Sequence, residues 1–474
     1  MRRSTLSRAA HRGHALLLLP SSPSRRETLA VMTRRRPGGH GRLLLPLMLT
    51  TMMLCLLAVP CHGKKMSSFV GTYGVNYGRI ADNLPPPAEV VKLLRMSRIK
   101  NVKIYDADHT VLDAFRGSGL NLVIAITNGE VKDIAANPAK AMDWLNENVQ
   151  PYYPSTSIVG ITVGNEILGG QDSGLAEALL GAVVNIHDAL RMLRLADKIE
   201  VTTPHSEAVF ANSYPPSACV FRDDLMVYLK PLLDFFSKTG APFYVNAYPF
   251  LAYMSDPEHI DVNYALFKPN SGIYDQKTSL HYYNMFDAQV DAAYFALEAA
   301  GYPEMEVRVA ETGWASAGDA TEAGANPDSA RTYNANLRKR LLLRNGTPYR
   351  RKRAVKAYIF ALFNENLKPG PSTERHYGLF KSDGSVSIDL GFKGLVSSSS
   401  SPSSLLPFKR ARGRGWVALV QYSATLLPYH SLDANSRKPV ASKFKRMIPS
   451  CTSSESLFLL KQIITVDVVL MSES

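Results

Sequence analysis

The chain has 474 residues and a net charge of +13, and 46% of its residues are hydrophobic. The charge is concentrated at the two ends: residues 1–65 carry twelve Lys or Arg against one acidic residue, and residues 395–474 carry ten against four, which leaves −4 for residues 66–394. A nucleic-acid-binding protein concentrates positive charge on its folded body, so this distribution excludes that class of partner. Only one of the four cysteines, Cys219, lies within residues 66–394, and a core of this size needs no disulfide.

Residues 1–65 have the pattern of a signal or targeting region. An arginine cluster at 34–36 precedes an apolar stretch at 43–59, and small residues follow that stretch. Proline and threonine residues interrupt the stretch, which disfavours the alternative of a membrane-spanning helix. The Arg- and Ser-rich residues 1–31 leave open a plastid-type transit peptide or translation from Met32. We favour the late start and secretion.

The central part of the chain, residues 66–394, alternates short apolar runs with longer amphipathic segments. Predicted strands cover residues 70–77, 102–106, 122–127, 158–163, 199–203, 243–247, 307–310 and 357–363, and predicted helices cover residues 88–96, 139–149, 175–195, 225–236, 287–300 and 330–343. Eight such units predict an α/β fold, a single catalytic (β/α)8 TIM barrel. A doubly wound open sheet is the competitor, but the glycines of residues 74–78 lack the spacing of its phosphate-binding turn.

The C-terminal part, residues 395–474, differs in composition from the barrel. A serine-rich linker at 397–404 is followed by a basic cluster at 409–414 and an apolar run at 416–427. This order is typical of a lipid (GPI) anchor signal, but such a signal ends a chain, and here 47 residues follow. A vestigial anchor signal, a disordered tail and a product of mis-spliced translation remain alternatives. Both terminal extensions are predicted to be disordered or poorly structured.

Two carboxylates stand where predicted strands stop. Glu166 follows the fourth strand and Glu311 follows the seventh, so both should lie on the rim where barrel enzymes place their chemistry. One acid at a strand end is most often a solvated loop carboxylate. A pair on one rim indicates hydrolysis of a glycosidic bond, which needs an acid and a second carboxylate. Asn165 is placed to bind a sugar hydroxyl, and Trp314 offers a flat ring on which a pyranose can lie.

Six ordered blocks of sequence carry a resemblance to a known family. They are residues 74–78 (GVNYG), 104–107 (IYDA), 163–166 (VGNE), 245–250 (VNAYPF), 311–314 (ETGW), and 363–368 (FNENLK) together with 373–380 (TERHYGLF). The chain resembles plant members of glycoside hydrolase family 17, the glucan endo-1,3-β-glucosidases, over residues 69 to about 392. This resemblance implies a (β/α)8 barrel whose acid/base ends strand four and whose nucleophile ends strand seven.

Carried over to this sequence, the resemblance implies that Glu166 is the proton donor and Glu311 the nucleophile of a retaining double displacement. It also implies a supporting charged network formed by Glu365, Lys368 and Glu374. A lysine near the nucleophile would favour its ionised form, and a neighbouring carboxylate would raise the pKa of the acid. Three side chains at predicted strand ends two and six are expected to line sugar subsites, with barrel packing as the alternative: Tyr105, Asn246 and Tyr248.

The resulting expectation is a secreted, monomeric, endo-acting hydrolase of 1,3-β-glucan, either callose or fungal wall glucan. It should need no cofactor and no metal, and it should meet a membrane only through a lipid anchor. A wall protein that binds 1,3-β-glucan without cutting it and a mixed-linkage 1,3-1,4-β-glucanase are the alternatives. Asn345 begins the sequon Asn-Gly-Thr and is a candidate for N-glycosylation, although Pro348 after the sequon disfavours it.

Overall fold

The computed structural model describes residues 69–395, and its secondary structure alternates strands with helices. The strands are Tyr73–Asn76 (β1), Asn101–Lys103 (β2), Asn121–Ile126 (β3), Ser157–Val163 (β4), Glu200–Thr202 (β5), Pro204–His205 (β6), Phe210–Asn212 (β7), Val220–Phe221 (β8), Phe243–Asn246 (β9), Ile273–Asp275 (β10), Leu280–Tyr282 (β11), Val307–Thr312 (β12) and Ala357–Ile359 (β13). The α-helices are Pro87–Met96, His109–Ala114, Asn128–Ala136, Pro138–Asn148, Ser173–Met192, Met226–Thr239, Pro249–Ser255, Val262–Ala265, Met285–Ala299 and Pro327–Leu342.

The main sheet closes into a barrel of eight parallel strand positions. Its order is β5-β4-β3-β2-β1-β13-β12-β9-β6, and every pairing in it is parallel. The two outermost segments, β5 and β6, are separated along the chain by Thr203 alone. They therefore act as one divided fifth strand, whose first half pairs with β4 and whose second half pairs with β9. The predicted (β/α)8 barrel is confirmed.

The predicted elements differ from the structure mainly at their ends and in the connections. The first and last barrel strands are shorter than predicted, and the fifth is divided. Four helices that were not predicted begin at His109, Asn128, Pro249 and Val262. Two small antiparallel ladders, β7 with β8 and β10 with β11, lie in the connections that follow the fifth and sixth barrel strands. These connections were too short or too irregular in hydrophobic period to be recognised as structure.

Polar caps and prolines determine where several helices begin. The side chains of Asp172, Asn284 and Asn326 each accept a hydrogen bond from the backbone N–H three residues later. Such caps satisfy an amide that has no partner within the helix. Pro138 and Pro327 occupy the first helical position, where the missing N–H costs nothing. Among residues 69–395, no helix is both long and apolar enough to cross a bilayer.

The amino-terminal end of the barrel is filled by a packed polar and aromatic layer. Arg308 is buried there, and its guanidinium lies 2.5 Å from Glu200 Oε1 and 3.0 Å from the Tyr244 hydroxyl. The ring of Phe69 lies 5.6 Å from the same guanidinium and 5.0 Å from the ring of Tyr358. This layer closes one end of the barrel, so a ligand can enter only at the carboxyl ends of the strands.

The predicted boundaries after residues 65 and 394 stay predictions, because residues 1–68 and 396–474 lie outside the described part of the chain. The signal region, the serine-rich linker, the anchor signal and the expected disorder of both extensions fall there. Within residues 69–395, Cys219 is buried and has a free thiol. Asn345 is exposed, and the hydroxyl of Thr347, the third residue of the sequon, is buried and accepts a hydrogen bond from the Arg350 amide at 3.1 Å. Glycosylation of Asn345 stays a prediction.

Candidate active site

The loop after the fourth strand presents Glu166 to the open end of the barrel. Gly164 and Glu166 both adopt left-handed backbone angles, with φ of 65° and 52°. Glycine is favoured at the first position because its backbone is left-handed, and a Cβ there would also displace the end of the Ile167 side chain. The strained backbone at Glu166 is held by its own amide, which donates to Pro204 O on β6 at 3.0 Å. Strain of this kind is kept where the surroundings enforce it, and it often marks a functional site.

Asn128 fixes the same loop from the neighbouring strand connection. Its Oδ1 accepts a hydrogen bond from the Asn165 amide at 2.8 Å, and its Nδ2 donates to Asn165 O at 3.1 Å. One side chain therefore holds both polar groups of the backbone residue that precedes Glu166. Asn128 was not predicted as a site residue, because its neighbouring sequence gives no indication that it contacts Asn165, which lies 37 residues further along the chain.

On the seventh strand a β-bulge turns Glu311 into the barrel. Val309 pairs with Val245 and Glu311 pairs with Asn246, so one extra residue, Ala310, lies between two consecutive pairs. Without this bulge, strict alternation would point Glu311 away from the barrel interior, because Arg308 and Ala310 already face inward. The carbonyl of Ala310, displaced from the ladder, accepts a hydrogen bond from Asn76 Nδ2 at 3.0 Å. The predicted strand end at Ala310 is wrong, since β12 continues to Thr312.

Both oxygens of the Glu311 carboxylate are occupied by donors. The Tyr105 hydroxyl donates to Oε1 at 2.8 Å, and the Tyr248 hydroxyl donates to Oε2 at 2.9 Å. Burial and the adjacent Glu311 charge raise the pKa of both tyrosines well above the usual value, so both hydroxyls keep their protons and remain donors. Lys103 Nζ lies 3.5 Å from Oε1. Glu311 is itself only 7% exposed, so these three groups define its surroundings.

Glu166 has a different environment from Glu311. Its Oε1 accepts one side-chain hydrogen bond, from Asn246 Nδ2 at 2.7 Å. The residue is open to the cleft, yet protein atoms crowd its carboxyl group. Desolvation, and then the negative charge of Glu311, raise the pKa of Glu166 to about 7, although the Asn246 hydrogen bond and Lys103 oppose that rise. At neutral pH Glu166 therefore retains its proton for a substantial fraction of the time.

The predicted charged group is assembled beside these two acids. Lys368 Nζ lies 2.8 Å from Glu374 Oε2 and 4.3 Å from the ring centre of Phe360. Burial acts to lower the pKa of Lys368, but the Glu374 and Glu365 carboxylates outweigh it, and the pKa is raised. Glu365 is buried and accepts a hydrogen bond from the Ile80 amide at 2.9 Å, and desolvation raises its pKa. The structure thus brings all three predicted residues together, with Lys368 paired to Glu374 rather than to Glu311.

Two asparagine oxygens in the site have no partner within the described residues. Asn165 Oδ1 and Asn246 Oδ1 are both buried and accept no hydrogen bond from the protein. Leaving a buried acceptor unpaired costs about 1–3 kcal/mol. Both atoms are shielded from the cleft in this conformation, so a sugar hydroxyl would reach them only after the amide groups turn toward the open end of the barrel. The prediction that Asn165 and Asn246 contact the substrate stays a prediction.

Trp314 is wrong as a sugar platform. Its side chain is fully buried, and its ring packs between Phe250 at 5.1 Å and Tyr333 at 5.5 Å, with Tyr253 stacked at 6.0 Å. Its Nε1 donates to Gly324 O at 2.8 Å. The ring therefore has no free face, and it belongs to the core beneath the loop that follows Glu311. The prediction failed because the covering aromatic residues come from other connections of the barrel.

Lys103 was missed from the sequence, although a signal was available. It is the last residue of β2, a strand that is buried at every position. A lysine in a fully buried strand needs a partner of opposite charge. The sequence reasoning placed Lys368 in that role beside the nucleophile, whereas the structure places Lys103 there.

The chain forms a (β/α)8 barrel with one open end, and its two carboxylates lie after the fourth strand and on the seventh strand in unlike environments. This arrangement is the one that a glycoside hydrolase needs. Comparison with known proteins agrees. A family model described as glycosyl hydrolases family 17 matches residues 73–392. Glucan endo-1,3-beta-glucosidase 7 of Arabidopsis thaliana is 49% identical over 330 residues, which cover 70% of this chain and 66% of that protein.

Solved structures of two plant proteins share the same barrel. CJP38, a β-1,3-glucanase and allergen of Cryptomeria japonica pollen, is 38% identical with a TM-score of 0.65, and the match covers 68% of this chain and 99% of that one. A second structure, one of two plant β-glucan endohydrolases with distinct substrate specificities, is 36% identical with a TM-score of 0.62, and the match covers 67% of this chain and 100% of that one. The chain belongs to glycosyl hydrolases family 17.

Proposed function

We propose that this protein hydrolyses internal 1,3-β-D-glucosidic bonds of 1,3-β-glucan, callose or fungal wall glucan, with retention of configuration. The names of the relatives support the substrate class. One observation carries the chemistry. Glu166 has a pKa raised to about 7, while Glu311 is surrounded by two hydroxyl donors and an ammonium group. Two carboxylates with such different surroundings suit an acid and a nucleophile.

In this mechanism the Glu311 carboxylate attacks the anomeric carbon while Glu166 protonates the departing glycosidic oxygen. The bond between sugar and leaving chain breaks, and an ester forms between the sugar and Glu311. Glu166, now ionised, takes a proton from water, and the water oxygen displaces Glu311 from the anomeric carbon. Two displacements at one carbon restore its configuration. Tyr105 and Tyr248 orient the attacking carboxylate, and Asn246 orients the acid.

The sugar on which this reaction occurs is expected to contact the two unpaired amide oxygens. Asn165 Oδ1 and Asn246 Oδ1 have no partner in the protein, and each would accept a hydrogen bond from a glucose hydroxyl once its amide group turns toward the bond that is cut. A cluster of three charged side chains lies beside Glu166 and Glu311: Lys368, Glu365 and Glu374. We assign this cluster a supporting role in keeping the two catalytic carboxylates in different protonation states.

The experiment that tests this proposal compares three proteins on laminarin: the wild type, Glu311→Gln and Glu177→Gln. Glu177 is an exposed glutamate on the helix Ser173–Met192 and serves as the matched control. We expect Glu311→Gln to lose several powers of ten in kcat, because the covalent intermediate cannot form, and the control to match the wild type. NMR of the first products should show the β-anomer. Hydrolysis by Glu311→Gln near the wild-type rate, or an initial α-anomer, would overturn the mechanism.

The same preparation distinguishes the alternative functions. A mixed-linkage 1,3-1,4-β-glucanase would prefer barley-type mixed glucan over laminarin, and a non-catalytic wall protein would bind laminarin without releasing oligosaccharides. Both carboxylates and their hydrogen-bonded surroundings are intact, which favours catalysis over binding alone. We expect laminarin to be the better substrate.

We also propose that the protein is secreted to the cell wall as a monomer, with a lipid anchor as the alternative form. The arginine-rich and apolar sequence of residues 1–65 supports export, and residues 395–474 carry the candidate anchor signal. Mass spectrometry of both mature termini tests these points, because export predicts loss of the signal and anchoring predicts a truncated, lipid-bearing C-terminus. Size-exclusion chromatography with light scattering tests the monomer.

A further inference from the structure

Lys103 occupies an unusual position for a lysine. It is the last residue of β2, its side chain is 1% exposed, and it pairs in register with Asn76 on β1, which supplies the amide that stabilises the bulge at Ala310. Its ammonium group therefore lies inside the barrel at the level of Glu311. Burying an unpaired ammonium group in a protein interior is costly, so a group placed there must find compensation.

The compensation comes from Glu311 and from the ring that holds it. Lys103 Nζ lies 3.5 Å from Glu311 Oε1 and 3.8 Å from the ring centre of Tyr105. It has no hydrogen-bond partner of good geometry within residues 69–395. The same Tyr105 donates its hydroxyl to the same oxygen of Glu311. Lys103, Tyr105 and Glu311 therefore form one unit in which the cation stabilises both the carboxylate and its donor.

The distribution of charge assigns Lys103 to Glu311 specifically. The site contains four carboxylates, Glu166, Glu311, Glu365 and Glu374, and two ammonium groups. Lys368 forms its ion pair with Glu374 at 2.8 Å. Within the part of the chain that the structure describes, Lys103 is the one cation within 4.0 Å of Glu311. Lys368 also interacts electrostatically with Glu311, but less than with Glu374 and Glu365. The other groups around Glu311 carry negative charge or neutral hydroxyls: Glu166, Glu365, Tyr105 and Tyr248.

We propose that Lys103 is a positioning residue for the nucleophile: its buried ammonium group supplies the counter-charge that stabilises the Glu311 carboxylate and holds it oriented for attack. This inference rests on the proposed function, since it assumes that Glu311 is the nucleophile. It also has a consequence within the reaction cycle. When Glu311 becomes an ester it loses its charge, and Lys103 loses its nearest counter-charge. The ionised Glu166 then remains as a second negative charge that acts on Lys103, and return of the Glu311 carboxylate restores the closer pair as the ester is hydrolysed.

The first test removes the positive charge of Lys103 and keeps the volume of its side chain nearly the same. We expect Lys103→Met to move the acid limb of the kcat/KM profile on laminarin upward by about 1–3 pH units, because an opposite charge at this range stabilises a carboxylate by that amount. Because the alkaline limb stays near pH 7, the pH range over which the enzyme is active becomes narrower. We also expect kcat to fall by a larger factor than KM changes. Lys103→Arg changes the shape of the cation but retains its charge, so it should keep the acid limb within about 0.5 pH unit of the wild type. An acid limb that stays in place in Lys103→Met, with a uniform loss of rate, would assign Lys103 a structural role only.

The second test does not depend on folding of a Lys103 variant. Lysine side chains labelled with ¹³C at Cε report their own titration by NMR, in the wild type and in Glu311→Gln. Burial lowers the pKa of Lys103, and the Glu311 charge opposes this. We expect the Lys103 titration to move to lower pH by about 1–3 units in Glu311→Gln, with the exposed Lys92 signal unchanged as the internal control. An unmoved Lys103 signal would refute the pairing.

The two proposals fail in different ways. If Glu311→Gln hydrolyses laminarin at the wild-type rate, Glu311 is not the nucleophile and the proposed mechanism fails. If Glu311→Gln is inactive while the Lys103→Met profile and the Lys103 titration are both unchanged, the mechanism stands and only the role of Lys103 is rejected.

Discussion

The hydrogen bond from Asn246 to Glu166 makes a sharp prediction about the pH dependence of hydrolysis. If Glu166 must be protonated to act, kcat/KM should fall as pH rises through its free-enzyme pKa, about 7. Asn246 Nδ2 donates to Glu166 Oε1 at 2.7 Å and so stabilises the ionised form. Removing this donor in Asn246→Ala should disfavour the carboxylate, raise the pKa of Glu166 and move the alkaline limb to higher pH.

The size of this shift follows from the geometry. A hydrogen bond to a charged group contributes about 1.5–3 kcal/mol, and one pKa unit corresponds to about 1.4 kcal/mol. Glu166 is open to the cleft, so water can replace part of the lost donor. We therefore expect the lower part of the range, an upward shift of about one pH unit.

The assay is the initial rate on laminarin at substrate concentrations well below KM, across the acid, neutral and mildly alkaline range. Tyr248→Phe is the matched control, because it removes a donor from Glu311 and leaves the contact between Asn246 and Glu166 intact. Its alkaline limb should coincide with that of the wild type. A limb that stays in place or moves to lower pH in Asn246→Ala would refute the assignment of this limb to Glu166.

Three further substitutions test the structure around the site. Asn128→Ala removes both hydrogen bonds to the Asn165 backbone and should lower kcat on laminarin by about 100-fold through misplacement of Glu166, with little change in the urea midpoint; an unchanged kcat would contradict this. Trp314→Ala should cost about 3–5 kcal/mol of unfolding free energy in urea, because a fully buried ring is lost, while a large rise in KM without destabilisation would restore Trp314 as a sugar contact. Arg308→Met leaves Glu200 buried without its ion pair and should cost about 3–5 kcal/mol in the same assay; a stability equal to that of the wild type would show that the pair contributes nothing.

The barrel was predictable because its strands are short, apolar and regularly spaced. A parallel strand that is buried on both faces has a nearly continuous run of apolar residues in its sequence, and β4 and β9 are examples. The fifth strand was harder, since it divides at Thr203 and each half pairs with a different neighbour. That division depends on the register of strands far away in sequence, and local composition does not contain it.

Site residues that lie at the end of a barrel strand could be predicted from the sequence. Features that depend on contacts between different loops or strands of the barrel could not. Glu166 and Glu311 were found from their positions, but the bulge at Ala310 depends on the register of β9 and β13. Trp314 illustrates the opposite error: it lies three residues beyond Glu311 in sequence, and aromatic residues of other loops cover it. A rim position in sequence therefore identifies acids more reliably than it identifies exposed rings.

The effect of the Glu311 charge on the pKa of Glu166 also links the two steps of the reaction. After desolvation, the charge of Glu311 is the main cause that raises the pKa of Glu166. Formation of the ester removes that charge and leaves Lys103 in place, so the pKa of Glu166 should fall when the sugar is attached. The group that must give a proton in the first displacement is then ionised for the second, in which it must accept one.

This change is measurable in the enzyme trapped as its 2-deoxy-2-fluoroglucosyl ester. With glutamate labelled at the ¹³C carboxyl and the Glu166 signal assigned through Glu166→Gln, we expect its titration near pH 7 in the free enzyme to move down by at least about one unit in the trapped ester. Glu130, which caps the helix Asn128–Ala136 through Thr127, is the control signal and should not move. A Glu166 titration that is the same in both states would mean that the two carboxylates do not influence each other, and the division of roles would then need a source other than their proximity.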